Sequence, residues 1–395
     1  MPMPDEEHTG TRIREQRKLA HLTQRQLAAR ISFSYSLLNQ VECGARAAST
    51  DLVAAVAQAL RIDVTALTGQ PYVTELQQDR LAELVRPIRE ALDLYDLTVS
   101  ETVAVRPDSE LVAAAGGLCA QVRAAHLRSA ARQLPAVIME LTTAARRTPP
   151  TELWRALAST YRTAHDLAVK LGYYDLSSVA LDRMDWAAQR ASDPCLAAVR
   201  QYMRALVYFR EGEYTIGQRL IAAGHELVDQ APGGREAEAV AGQLHLGGTV
   251  IAARARDDEA LTAHLAQATE IADRIGDASD VHWLSFGPVN VRVHRISADV
   301  ERRHYDEALV QAHAMKELPA SVPTSRRAHF LIDRARSGIE TGRTDAALKS
   351  LFAARRAAPE QTRYHPGARE TISGLVHLSR RAPDTLTNLA AWVGM

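Results

Sequence analysis

Five turns between residues 172 and 344 repeat one pattern, which narrows the possible folds more than any other feature of the 395 residues. The turns are Gly172-Tyr173-Tyr174, Gly212-Glu213-Tyr214, Ala255-Arg256-Asp257, Arg303-His304-Tyr305 and Gly342-Arg343-Thr344. Three residues past each stands a small one: Ser177, Gly217, Ala260, Ala308 and Ala347. Successive units start 40, 43, 48 and 39 residues apart. Repetition at this period predicts one helix hairpin stacked on the next. The small residue lets the second helix of each pair press against the first. Composition agrees, because 68 residues are alanine, a strong helix former that is depleted in strands.

The pattern resembles the tetratricopeptide repeat, stretched beyond its usual length by longer helices. The last unit matches best, through Ala335, Gly342, Ala347, Leu351, Ala354 and Pro359. The second matches through Ala205, Tyr208, Gly212, Tyr214 and Gly217. Trp154, Leu157, Ala158 and Tyr161 resemble the opening helix of such a repeat. The resemblance spans roughly 150–360, with an atypical helix pair before it and a capping tail from Gly367. It implies a curved groove that holds a peptide, a protein tail or a small ligand.

The first seventy residues read differently, as five short helices with compact punctuation. Thr9 to Ala20 is a basic helix with Ile13 and Leu19 available for a core. Thr23 is placed to cap a second helix and Ser34 a third. Gly44 suits the left-handed position after the third. Ser49 or Thr50 caps a fourth, with Leu52, Val53, Val56 and Leu60 on one face, and Asp63 opens a last turn ending at Gly69. Two short helices with a tight junction are the geometry of a helix-turn-helix.

These helices, with the phrases Leu22-Thr23-Gln24-Arg25-Gln26-Leu27-Ala28 and Ser34 to Gly44, resemble the Xre/Cro-type helix-turn-helix family. Two positions depart from it: Ser32 replaces the usual glycine between helices, and Cys43 a frequent basic residue. The resemblance implies double-stranded DNA as a partner, with the third helix in the major groove. It implies base-reading roles for Tyr35, Ser36, Asn39 and Gln40, residue types that suit base edges. It makes Gln24 a residue that bonds a phosphate and braces the reading helix. Arg12, Arg17, Arg25 and Arg46 are candidate phosphate contacts, which set affinity and register. Charge agrees: eight basic and three acidic residues between Thr9 and Ile62 give +5, hidden in a chain whose formal total is zero.

Residues 1–70 are therefore expected to be a helix-turn-helix domain, 71–109 a linker helix kinked at Pro87, and 110–395 a repeat domain. The fold class is all-α. One segment of the repeat domain stands out, Trp283-Leu284-Ser285-Phe286-Gly287-Pro288-Val289-Asn290-Val291-Arg292-Val293-His294. A similar Phe-Gly-Pro-x-Asn phrase occurs in actinobacterial regulators of the Xre type. Pro288 suits a first helical turn. Asn290 and His294 then share a face, where Asn290 can clamp a peptide backbone and Arg292 can pair with a carboxylate; Trp283 and Phe286 complete the candidate ligand site.

Other chemistry is not legible. No run of apolar residues is long enough for a transmembrane helix. The first residues lack a signal peptide, and Cys43, Cys119 and Cys195 lie far apart, so a reducing cytoplasm is expected. No metal-ligand spacing, phosphate loop or nucleophile elbow is present, and no cofactor is expected. The reading is a homodimeric transcriptional regulator acting on a two-fold related operator, with a peptide or small-molecule signal in the repeat domain. The alternatives are an adaptor or antitoxin-like partner whose groove holds another protein, and an enzyme on a helical-repeat scaffold.

Overall fold

The computed structural model describes residues 8–71, 75–97, 104–147, 150–315, 318–379 and 383–395. The first residues read above, 1–7, lie outside the described residues. Every extended element among the described residues is helical, apart from a lone bridge between Ala278 and Phe286. The protein is all-α, a helix-turn-helix domain followed by a solenoid of helix pairs.

The first domain comprises α1 (Thr9–Leu19), α2 (Gln24–Arg30), α3 (Tyr35–Glu42), α4 (Thr50–Leu60) and α5 (Val64–Thr68). Its caps are local chemistry. Thr23 and Gln26 form a reciprocal capping box, with Thr23 Oγ1 accepting from the Gln26 amide at 3.2 Å and Gln26 Oε1 from the Thr23 amide at 2.8 Å. Ser34, Ser49 and Asp63 each accept an orphan amide of the helix that follows. Ile13, Leu27, Leu38, Val41, Leu52, Val56 and Leu67 close one core. Leu19 does not join it and is 70% exposed. Gly10 is where α1 crosses α3; a Cβ there would stand 1.8 Å from the Val41 carbonyl oxygen. Ser32 costs the α2–α3 junction nothing, since its φ is not positive.

A long helix, α6 (Glu75–Asp93), runs on through Pro87. Leu81, Val85, Ile88 and Leu92 are buried in the same core as the helices after it, α7 (Asp108–Arg123) and α8 (Leu127–Arg147).

Five hairpins follow. They pair α9 (Thr151–Leu171) with α10 (Tyr174–Ala191), α11 (Pro194–Glu211) with α12 (Tyr214–Val228), and α13 (Arg235–Ala255) with α14 (Asp258–Ile275). The last two pair α15 (Pro288–Glu301) with α16 (Tyr305–Ala314), and α17 (Thr324–Glu340) with α18 (Thr344–Ala357). Then come α19 (Pro359–Tyr364), α20 (Pro366–Leu378) and α21 (Asp384–Val393).

All five turns are built alike. Gly172, Gly212, Arg256, Arg303 and Gly342 are left-handed, with φ of 87°, 80°, 60°, 66° and 75°. The next amide in each case reaches back five residues, as Tyr173 does to the Ala168 carbonyl and Asp257 to that of Ala252. This geometry corrects the register of the third unit. Asp257 is equivalent to Tyr173, so the equivalent of Ser177 is Leu261, whose amide bonds the Asp257 carbonyl, and not Ala260. The second helices begin at Tyr174, Tyr214, Asp258, Tyr305 and Thr344, intervals of 40, 44, 47 and 39 residues. The longest interval holds the Trp283–Phe286 segment.

The first helices of successive hairpins also touch: α9 meets α11, α11 meets α13, α13 meets α15 and α15 meets α17. α17 reaches back to α7 and α19 reaches back to α9. The solenoid thus curls round until its inner helices enclose a central cavity.

Candidate nucleic-acid interface

The outer face of α3 carries Tyr35, Ser36, Asn39 and Gln40, all exposed, with Tyr35 45% open to solvent. Leu38 and Val41 hold the opposite face in the core. Tyr35 and Ser36 lie one turn before Asn39 and Gln40, so the four share one surface. Arg25, also exposed, has its guanidinium carbon 5.8 Å from the Tyr35 ring centre.

Beneath that surface lies an ion pair. Arg17 donates from Nε and Nη2 to the two Glu42 carboxylate oxygens, each at 2.7 Å, and from Nη1 to the Leu22 carbonyl at 2.7 Å. The bonds to Glu42 raise the Arg17 pKa even against burial. Gln24 Nε2 donates to Glu42 at 2.8 Å and to Asn39 Oδ1 at 3.3 Å. The network ties α1, α2 and α3 together and fixes the Asn39 side chain. Gln24 therefore sits where it braces α3.

Three of the arginines expected at phosphates have partners within the chain. Arg17 is 8% exposed and spends its donors inside the domain, so it is no phosphate contact; it positions α3. Arg12 lies over the end of α5, its Nη1 3.5 Å from the Thr68 carbonyl. Arg46 is exposed and pairs with Glu340 of α17 at 3.1 Å. Sequence reasoning missed these roles because the partners are distant in the chain or, like Glu42, carry no signal of burial.

The Arg46–Glu340 pair belongs to a seam between the two domains. Arg303 binds Asp51 at 2.5 Å and stands 5.2 Å from the Phe33 ring centre. Burial pushes the Asp51 carboxyl up, but the Ser49 hydrogen bond and the Arg303 charge together hold it below its ordinary value. Gln58 Nε2 donates to the Glu211 carbonyl at 3.3 Å and to Glu213 at 3.2 Å. Tyr174 donates to Gln70 Oε1 at 2.9 Å, and Thr9 bonds Glu370. Cys43, exposed at the end of α3, donates to the Gln40 carbonyl.

The structure does not gather the candidate ligand residues into one site. Phe286 is fully buried and fills the space above Gly242, where a Cβ would stand 2.1 Å from its ring. It is a core residue, not a ligand contact. Arg292 is exposed on α15, while Asn290 and His294 are buried. The Trp283 carbonyl accepts from Arg162 at 3.3 Å, and the indole lines neither chamber near α15. Asn290 lines a chamber of about 290 Å³, and His294 lines the central cavity of about 350 Å³. The residue common to both walls is Arg326.

Asp193, Cys195 and Glu236 also converge within 4.8 Å. Arg155 occupies that space, pairing with both carboxylates at 2.5 Å, and burial pushes the Cys195 thiol up to about 12. The trio already holds a cation of the chain's own.

Comparison with known proteins settles the first domain. Residues 13–67 match the family model described as Helix-turn-helix. The N-terminal domain is a helix-turn-helix domain. An uncharacterized HTH-type transcriptional regulator of Mycobacterium tuberculosis strain CDC 1551 is 45% identical to the chain over 58 residues. A protein of the same description in strain H37Rv is similar to the same extent. The match covers 15% of this chain and 41% of each relative, so the likeness concerns the helix-turn-helix domain alone. No solved structure matches the chain at a significant level. No helix among the described residues is long and apolar enough to cross a membrane.

Proposed function

We propose that the protein is a sequence-specific DNA-binding transcriptional regulator, with α3 lying in the major groove. The observation that carries this reading is the exposed Tyr35, Ser36, Asn39 and Gln40 surface on a helix braced by the Arg17–Glu42–Gln24 network. The helix-turn-helix relatives, named as transcriptional regulators, support it. Asn and Gln are suited to bidentate bonds with adenine, Ser to either donor or acceptor edges, and Tyr to a thymine methyl. In this reading two chains pair, so that two copies of α3 meet major-groove faces about 34 Å apart and the operator is two-fold related. The solenoid, which resembles tetratricopeptide repeats in its hairpins, supplies the dimer contact and holds a signal molecule. Its cavity binds without turnover, so the chain is a regulator and not an enzyme.

Phosphate contacts fall to the exposed cations that make no ion pair among the described residues: Lys18, Arg25, Arg30 and Arg61. Three such contacts in each of two half-sites would make the affinity drop about a thousandfold between 50 and 200 mM salt. Titrating a fluorescent duplex with the purified chain across that range tests the reading. A flat response would show that duplex phosphates are not what the domain holds.

A further inference from the structure

The central cavity is walled by the inner helices α9, α11, α13, α15, α17 and α19, and its wall is electrically unbalanced. Five cations face it, Lys170, Arg210, Arg254, Arg326 and Arg336, against the carboxylates Glu301 and Asp333. Glu301 is already taken, bound by Arg254 at 2.7 Å and Arg336 at 3.3 Å. Asp333 accepts from Ser297 at 2.7 Å and lies 3.8 Å from His329 Nε2, and burial raises its pKa.

Three of the cations make no ion pair among the described residues, although Asp166, Glu211 and Asp333 attract Lys170, Arg210 and Arg326 from a distance. The Arg326 guanidinium makes no hydrogen bond or ion pair among the described residues. Arg210 lies 4.9 Å from the Tyr174 ring centre, and its Nη2 is buried with no partner. Lys170 bonds only the neutral Gln361, at 3.0 Å. Burial and the neighbouring Arg123 and Arg326 pull the Lys170 pKa down to about 8, against the attraction of Asp166. Half-buried cations that make no ion pair are costly, and an anion between them removes that cost.

A second observation points the same way. Asn290 is 5% exposed, and both atoms of its carboxamide are buried without a partner. It lines the adjoining chamber, whose wall includes Arg326. An unsatisfied donor and acceptor thus belong to a residue of the same chamber wall as Arg326.

We infer that the cavity binds a compact small-molecule dianion, its acid groups carboxylate or phosphate, held by Arg326, Lys170 and Arg210. This deepens the reading of the solenoid as a signal-binding domain and rests on it. The volume suits a small molecule. The site also touches the DNA-binding domain. Thr50, at the start of α4, lines the cavity, and its hydroxyl is buried without a partner. Thr50, Arg254 and Arg336 are shared with a crevice of about 130 Å³ along the seam between the domains. The dianion thus bears directly on how the helix-turn-helix domain is seated. It changes operator affinity to the extent that it prefers one seating over another, and operator DNA changes its affinity by the same factor.

The test is calorimetric titration of the full chain with succinate and with pyrophosphate at constant ionic strength. Saturable binding of at least one is expected, weakened at least tenfold in Arg326→Gln and in Lys170→Gln. Binding of succinate alone assigns carboxylates and binding of pyrophosphate alone assigns phosphates. Arg326→Gln should melt no lower than the native chain, since it removes a half-buried charge that makes no ion pair; Lys170→Gln serves if it does not fold. The inference is overturned if neither anion binds saturably, or if both bind the folded variants as well as the native chain. Duplex binding without added anion is measured on the same preparation. DNA affinity with no anion binding removes the dianion and leaves the regulator. Anion binding with no DNA affinity removes the regulator and leaves the site.

Discussion

Changing Tyr35 and Gln40 together to alanine is expected to weaken binding to a specific duplex about a thousandfold. A bidentate contact such as Gln40 to adenine discriminates by about 1–3 kcal/mol, and a two-fold site loses it twice, with the Tyr35 contact besides. Both side chains are exposed and neither lies in the core, so unfolding free energy should move by no more than about 0.5 kcal/mol. Non-specific affinity should survive, because the phosphate contacts lie elsewhere. Anisotropy titrations against a specific and a scrambled duplex separate the two effects. Equal affinity of variant and native chain for the specific duplex would remove α3 from the interface.

The largest effect on stability is expected at Glu42. It is 2% exposed and accepts from both Arg17 and Gln24. Glu42→Ala leaves the Arg17 guanidinium buried without its counter-charge, which costs about 3–5 kcal/mol. A double change, Arg17→Met with Glu42→Leu, removes both charges and should recover most of that loss. Denaturant unfolding of the three proteins measures both values. A loss below about 1 kcal/mol in Glu42→Ala would mean that the pair is solvated and does not brace α3.

Local chemistry was the most legible part of this chain. Thr23, Ser34, Ser49 and Asp63 cap the helices they were expected to cap, because a cap needs only a side-chain oxygen and the amide two or three residues on. The hairpins were visible for the same reason where glycine marks the left-handed turn, as at Gly172, Gly212 and Gly342. Arg256 and Arg303 adopt that conformation without glycine, which blurred the third and fourth units and shifted the third by one residue.

Properties set by tertiary neighbours were not legible. Leu19 has the spacing of a core residue, yet no helix covers it. Arg17 looked like a phosphate ligand until its partner Glu42, 25 residues on, proved buried. Phe286 looked like a ligand contact, but Gly242 makes room for it in the core. The cationic cavity is the extreme case. Lys170, Arg210 and Arg326 come from three helices and meet only because the solenoid curls on itself.

The measurement closest to the central claim is selection of bound duplexes from a random-sequence pool by the purified full chain. The account predicts enrichment of one motif with two-fold related halves about one helical turn apart, and no enrichment by the Tyr35→Ala, Gln40→Ala variant. A pool that stays random after repeated rounds with the native chain would contradict it.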